Sequence, residues 1–169
     1  MVEGFLRIGL HDGDGVSGQP LAYQNSYSNP VVLGQVMSAN DPDWSVFWCR
    51  GSATGFAPTA SALHVGKHVG EDPDTTRANE DLGIIIIEAG SGTVDGVAYT
   101  AGLGGDTIRG VGNSPAYTYG VSGNPTVAVA TQAAMDGNNG GWAVLYGSNP
   151  VSGSGLHLAI DEDQVADSE

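Results

Sequence analysis

Carboxylates are the side chains of this sequence best suited to chemistry, and they gather in loops. Glu71, Asp72 and Asp74 stand close together in the loop 70–81. Carboxylates this dense repel one another unless a divalent cation or open water surrounds them. Ca²⁺ prefers oxygen ligands of this kind, so we expect either calcium-binding loops or solvated ones. A second such set lies near the end of the sequence and comprises Asp161, Glu162, Asp163, Asp167 and Glu169.

A further acidic motif is the sequence HDGDG at 11–15. Asp12 and Asp14 are separated by one residue and precede a glycine, an arrangement that can wrap a hard cation. The ligands that complete an EF-hand loop do not follow, and a tight hairpin turn is the alternative interpretation. The metal ligands predicted from these motifs are Asp12, Asp14, Asp74 and Asp167.

Two histidines occupy matching positions in short apolar segments. His64 stands in SALHV and His157 in SGLHL, each between apolar neighbours. Because side chains alternate along a strand, each imidazole should point away from the apolar face. Zinc would need more ligands within reach, so we expect no metal at either histidine.

The overall charge excludes several classes of partner. The chain carries 19 acidic and 5 basic residues among 169, a formal charge of −14. Nucleic acids and anionic membrane surfaces require a basic footprint, which this composition does not supply. No apolar stretch approaches the length of a membrane span. A neutral or cationic ligand, or simple solubility, agrees with the acidity.

The sequence contains no recognisable catalytic constellation. It has no Gly-x-Ser-x-Gly elbow, and its glycine-rich segments lack the lysine of a phosphate-binding loop. Cys49 is the single cysteine, so an internal disulfide is excluded, and we expect this thiol to be buried. The chain is therefore not expected to be an enzyme.

Short strands must position these residues. Gly accounts for 27 residues and only 14% of the chain is charged, which is typical of β-structure with tight turns. Turn-forming segments separate apolar runs that have no helical period. The expected fold class is therefore all-β and antiparallel, with strands at 5–10, 30–36, 44–49, 62–65, 82–88, 125–131, 142–146 and 156–160.

Two of these strands are apolar on both faces. The segment WSVFW at 44–48 places Trp44 and Trp48 on one face and Phe47 on the other, and WAVLY at 142–146 repeats the pattern. Such a strand needs cover on both faces. One face belongs to the core, and the other needs a neighbouring repeat, another subunit or a ligand such as a sugar ring.

The chain repeats itself at a spacing of 92 to 98 residues. VEGFLRIGLHDGD at 2–14 aligns with VDGVAYTAGLGGD at 94–106, and SNPVVLGQ at 28–35 aligns with GNPTVAVA at 123–130. The WSVFW and SALHV segments find their counterparts in the same order. We therefore predict two tandem antiparallel β-sandwich units, at 1–90 and 91–169.

The second unit is expected to lack its last strand. In the first unit the acidic loop leads into LGIIIIE at 82–88, whereas no second copy of this Ile-rich segment is present. A sandwich without it would expose an open strand edge. We therefore expect a homo-oligomer or a strand-exchanged assembly.

The first repeat resembles the H-type lectin domain. The resemblance is carried by NSYSNPVVLGQV at 25–36, SATGF at 52–56, the LHV strand and LGIIIIEAG at 82–90. It implies a six-stranded antiparallel β-sandwich that trimerises and binds N-acetylgalactosamine-type sugars between subunits. The family's Trp-His pair is matched only by His68 in GKHVGED. The chain is also similar to tandem β-sandwich repeats of large secreted bacterial proteins.

These resemblances imply a non-catalytic, extracellular or cell-surface module of a larger secreted chain. Its expected partner is a polysaccharide or surface glycan, with calcium as an assisting ion and no nucleic acid or membrane insertion. The alternative is a structural stalk, adhesin or filament subunit assembled by strand exchange. The candidate sugar contacts are His68, Glu71 and Asp72 in the first unit and Asp161, Glu162 and Asp163 in the second.

Overall fold

The computed structural model describes residues 6–7, 18–74, 76–112, 117–121, 123–137, 140–153 and 155–162. These residues form an all-β protein without helices, which confirms the predicted class. Accordingly, the described part of the chain offers no helix that could span a membrane. Its strands are β1 (Leu6–Arg7), β2 (Gln19–Pro20), β3 (Pro30–Val36), β4 (Val46–Arg50), β5 (His64–His68), β6 (Asp81–Glu88), β7 (Gly90–Val94), β8 (Val97–Ala101), β9 (Tyr117–Gly120), β10 (Trp142–Leu145), β11 (Val151–Ser152) and β12 (Gly155–Asp161).

The Ile-rich strand β6 is the centre of the first sheet, whose order is β1-β6-β3. It pairs with β3 over the full length of that strand, from Pro30 opposite Glu88 to Val36 opposite Leu82. Its side chains alternate, so that Ile86 is fully buried while Ile85 is 49% exposed. The β-branched residues suit this pleated, half-covered surface.

The second sheet has the order β2-β5-β4. Strand β4 is buried on both faces, as its apolar pattern predicts, because Phe47 and Trp48 are 5% and 1% exposed. Trp48 lies opposite Gly66 of β5. A Cβ at Gly66 would come within 2.9 Å of the indole Nε1, so only glycine allows this close approach.

Both of these sheets contribute to one hydrophobic core. Each sends alternate residues inward, which is the period-two burial expected of packed strands. The core also includes Tyr27, whose hydroxyl donates a hydrogen bond to the Ile86 carbonyl over 3.3 Å. The buried members are Tyr27, Val32, Phe47, Cys49, Leu63, Val65, Leu82, Ile84 and Ile86.

Strands β7 and β8 form a hairpin that pairs with no other described strand. Its turn is Asp95-Gly96, with φ angles of 48° and 81°. Positive φ at both central residues is the geometry of the type I′ turn, whose preferred sequences include Asp-Gly. The sequence prediction missed this hairpin, although Val-Asp-Gly-Val at 94–97 is a short-range signal for it.

The last sheet is built around β12, which pairs with β9, β10 and β11. Strand β10 runs antiparallel to β12, from Trp142 opposite Asp161 to Leu145 opposite Leu158. The WAVL segment therefore pairs with the GLHL segment, just as WSVFW of β4 pairs with the LHV segment of β5.

The strand predicted at 125–131 is wrong, because no strand forms there. Its counterpart β3 gains a full set of ladder hydrogen bonds from β6. The segment 125–131 meets no such partner among the described residues, and Val127 and Val129 are 74% and 67% exposed. An apolar alternating sequence does not make a strand without a neighbour to pair with.

Candidate functional site

The acidic loop 70–81 folds around a guanidinium group. The side chain of Arg77 is fully buried, and its nitrogens lie 3.0 Å from Asp72, 3.5 Å from Asp74 and 3.8 Å from Asp43. The repulsion among these carboxylates is thus relieved by a charge of the chain itself. Sequence reasoning missed this role, for which the only signal was one arginine inside an acidic stretch.

A second buried cation lies beside the first. Lys67 is fully buried on β5, and its Nζ donates a hydrogen bond to the Ala78 carbonyl over 2.6 Å. Asp41 accepts hydrogen bonds from the backbone of Ala78 and of Asp43 at 2.6 and 3.1 Å. These bonds, first among them that from Ala78, hold the pKa of Asp41 below its usual value.

Glu80 completes this network from its place directly before β6. Its carboxylate accepts hydrogen bonds from the Ser38 hydroxyl and from the backbone of Asn40 and Asp41, the latter two at 3.0 and 2.9 Å. Burial raises the pKa of Glu80, but these hydrogen bonds outweigh burial and leave the pKa below its ordinary value. The cluster therefore fixes the loop through ion pairs and hydrogen bonds within the protein.

The predicted calcium ligands are divided between described and undescribed residues. Asp74 is described and lies in the Arg77 ion-pair cluster. Asp12, Asp14 and Asp167 lie outside the described residues. No group of three or more His, Cys, Asp or Glu that could hold a metal occurs in the described ranges. Calcium binding stays a prediction.

His68, a predicted sugar contact, is 3% exposed. Its Nδ1 accepts a hydrogen bond from the Gly70 N–H at 3.2 Å, so Nε2 carries the proton and donates to the Gly141 carbonyl at 2.9 Å. This ring ties β5 to the segment that enters β10. Its nitrogens are thus engaged in the fold.

The other predicted sugar contacts lie in half-buried positions. Glu71 follows β5, and Asp72 pairs with Arg77. Glu162 lies against Gly141, where a Cβ would approach its Oε1 to 3.4 Å, so Glu162 and His68 meet on the same glycine. Asp161 stands opposite Trp142 in the β10–β12 ladder. Asp163 lies outside the described residues.

An aromatic pair stands where the two predicted units meet. The rings of Trp44 and Trp142 lie 5.9 Å apart at an interplanar angle of 75°, an edge-to-face contact. Trp44 is 41% exposed and Trp142 is half-buried. A partly exposed tryptophan held by a second one presents a rigid apolar surface to solvent. The repeat alignment places both residues at the same position but does not reveal that they touch.

Trp142 lines a cavity of about 270 Å³. The cavity lies between the end of β3, the start of β4 and the segment 130–132. It combines apolar walls with a few polar side chains, which is the usual composition of a small-molecule site. Its volume suits a single small ring. The polar side chains in its lining are those of Gln35, Ser45, Thr131 and Gln132.

Gln132 gives this cavity an unused acceptor. Its side-chain Oε1 is buried and has no hydrogen-bond partner among the described residues. The neighbouring Thr131 hydroxyl is already engaged, because it donates to the Val32 carbonyl over 2.9 Å. A buried carbonyl without a donor is costly.

Cys49 lies in the hydrophobic core and does not line this cavity. The thiol is buried, as the sequence predicts, and burial raises its pKa to about 12. At neutral pH it is a thiol, whereas the thiolate is the reactive form. His64 and His157 lie half-buried on β5 and β12.

No protein-family model, curated protein or solved structure matches the chain. The likeness to the H-type lectin domain therefore depends on its motifs alone and stays a prediction.

Proposed function

We propose that the protein is a non-catalytic, extracellular carbohydrate-binding module built from two tandem β-sandwich units. The observation that carries this proposal is the contact between Trp142, which lines the cavity, and Trp44, which is 41% exposed to solvent. The sandwich arrangement of the first unit is supported by its two sheets, which share one core. Support for the second unit is the matching pairing of β10 with β12.

A sugar ring fits the chemistry of this site. The face of an indole is negative and attracts the weakly positive C–H bonds on the flat side of a pyranose. Gln35, Ser45 and Gln132 offer donors and acceptors for the hydroxyls at the ring edge. Two predicted sugar contacts are engaged within the protein, because His68 bonds the Gly141 carbonyl and Asp72 pairs with Arg77. We therefore place the sugar ring against the tryptophans.

The charge of the chain selects among sugars. At −14 it repels uronic acids, sialic acids and sulfated sugars, and this repulsion slows their association. We therefore propose neutral hexoses or N-acetylhexosamines as ligands, presented on a polysaccharide or surface glycan.

Tryptophan fluorescence and a glycan array test this proposal. Neutral glycans should be retained over acidic ones, and a neutral monosaccharide should change the fluorescence. Trp44→Ala should weaken binding at least tenfold, equivalent to about 1.4 kcal/mol. Phe56→Ala is the matched control, because Phe56 is 63% exposed and is not the ring that packs against Trp142 at the cavity. Equal loss in both variants, or unchanged binding by Trp44→Ala, would contradict the proposed site.

A structural stalk, adhesin or filament subunit is the second candidate. It is favoured by the unpaired segment 125–131, which leaves strand-forming sequence open to another chain. Absence of any retained glycan, together with assembly into larger particles, would select this candidate.

A further inference from the structure

A wide groove of about 1,280 Å³ lies between the β7–β8 hairpin and the segment 120–137. Its floor includes the apolar side chains of Leu156, Leu158 and Ile160 from β12. The outer face of the first sheet continues this surface with Ile85 and Ile87. A groove of this size and apolarity on a protein surface marks an interaction site.

In the first sheet, a third strand lies between the counterparts of the two segments that flank the groove. There the Ile-rich β6 separates β1 from β3. The repeat alignment makes β8 the counterpart of β1, since VEGFLRIG at 2–9 matches VDGVAYTA at 94–101. It makes 123–130 the counterpart of 28–35, which contains the start of β3. Both flanking segments line the groove, and no described strand lies between them.

The exposed residues show which pairing is absent. Val127 and Val129 occupy the repeat positions of Val32 and Gly34. Val32 is 5% exposed beside β6, whereas Val127 and Val129 are 74% and 67% exposed. No backbone hydrogen bond joins 124–131 to another segment in the described part of the chain. The backbone and side chains of this segment are therefore both available for strand addition.

The charged residues that line the groove indicate the charge that a bound strand should carry. Asp106, Asp136 and Glu162 line the groove, and no lysine or arginine of the described residues does. The segment 124–135 carries no charge at all. A partner strand that carries basic residues beside an uncharged apolar segment complements these acids, and a second copy of a chain with a charge of −14 does not.

We infer that this groove accepts an added β-strand: an extended Ile- and Val-rich segment, flanked by Lys or Arg, from another polypeptide. It lies antiparallel to 125–131 and takes the place that β6 holds beside β3, over the same seven-residue length. The added strand converts 125–131 into a strand and closes the sheet over β12. This inference does not depend on glycan binding, because neither Trp44 nor Trp142 lines the groove, although the groove and the cavity share the wall formed by 130–132 and Ala143.

Hydrogen exchange on the full chain tests the inference with a defined peptide. The probe carries the sequence of residues 82–87, Leu-Gly-Ile-Ile-Ile-Ile, with two lysines at each end. It should slow exchange of amides within 125–131 and 97–101 at least tenfold, with one peptide bound per chain. A control peptide with aspartate in place of Ile84 and Ile86 should leave these amides unchanged, because it cannot cover the apolar floor.

Proline substitutions in the protein, rather than in the peptide, test the same pairing. Ala128→Pro should abolish the protection, since proline removes an N–H and disfavours a strand interior. Ser148→Pro is the matched control, because Ser148 lies in an exposed bend outside the groove.

The inference is overturned if the peptide gives no protection to a folded chain, or if both peptides protect equally. It is also overturned if 125–131 becomes protected without peptide as the protein concentration rises and sedimentation shows dimers. That result would identify a second copy as the occupant. Retained peptide protection in Trp44→Ala would keep this result distinct from failure of the proposed glycan site.

Discussion

The segments 30–36 and 125–131 both start with a proline that follows an asparagine, and both continue with mostly apolar residues, but they form different structures. The first is β3, paired with β6 at every position from Pro30 to Val36. The second forms no strand and leaves its valines in solvent. An apolar, β-prone sequence therefore allows a segment to become a strand, but the strand forms only where the backbone of a neighbouring segment pairs with it.

The basic residues of the two predicted units also differ in number and in burial. In the first, Arg77 and Lys67 neutralise the loop from inside, and Glu80 and Asp41 accept hydrogen bonds from the backbone. The second unit has Arg109 as its only base, and this residue is exposed. The first unit is thus stabilised by buried charge and a central strand that the second lacks within its described residues.

The largest expected effect comes from removing the buried guanidinium. Arg77→Met should lower the free energy of unfolding by about 3 kcal/mol, because it leaves three carboxylates facing one another without their partner. Chemical denaturation measures this loss. Arg109→Met is the control, with an expected change within about 0.5 kcal/mol. Equal effects would show that the loop does not depend on its internal cation.

A matched pair of valine substitutions tests the comparison directly. Val32→Ala should destabilise by about 2 kcal/mol, since it removes buried apolar surface beside β6. Val127→Ala, at the equivalent repeat position, should change stability by less than about 0.5 kcal/mol because its side chain is in solvent. A large loss from Val127→Ala would mean that 125–131 is already covered in solution.

Acid should weaken the first unit through Glu80 and Asp41. Their pKa values are lowered in the folded state, so the unfolded chain binds their protons first as the pH falls. Their contribution is therefore complete above the ordinary glutamate pKa of 4.5 and is lost as the pH falls through the lowered folded pKa values.

Thermal unfolding between about pH 7 and about pH 2.5 measures this loss. Glu80→Gln should lower the Tm by a few degrees at neutral pH, since an amide oxygen replaces a charged acceptor. The curves of the variant and the parent chain should converge in acid. A constant difference in Tm across the pH range would show that Glu80 does not contribute to the loss of stability in acid.

The sequence predicted well those features that depend on local pattern. Residues 30–36 and the Ile-rich segment 82–88 are short apolar runs rich in β-branched residues, and both formed strands close to the predicted bounds. Burial of Cys49 followed from its place at the end of an apolar strand. The Asp95-Gly96 hairpin was also predictable from local pattern, because Asp-Gly between valines is a preferred type I′ turn sequence.

Features that depend on contacts between residues far apart in the chain could not be predicted from the sequence. The contact of Trp44 with Trp142 joins residues almost a hundred positions apart. The ion pairs of Arg77 required knowing which carboxylates its loop would bring inward. The absence of a strand at 125–131 required knowing that no described strand would lie beside it. Such contacts follow from chain topology, which local propensity does not encode.

The smallest expected effect lies in the β7–β8 hairpin, on the edge of the proposed acceptor groove. Gly96 has a φ of 81°, and a Cβ there would meet no other atom within 4 Å. Gly96→Ala therefore changes only the backbone energy, by about 1 kcal/mol for a non-glycine residue in the left-handed region. Because the hairpin pairs with no other described strand, the cost should appear as local opening rather than global unfolding. Amide exchange within 90–101 should accelerate about fivefold while the Tm stays constant, since about 1 kcal/mol corresponds to that factor in an equilibrium.

Gly102→Ala is the control, because a Cβ there also meets nothing and its φ is not in the left-handed range. A fall in Tm with Gly96→Ala would show that the hairpin folds with the core, and the groove beside it would then have a rigid wall.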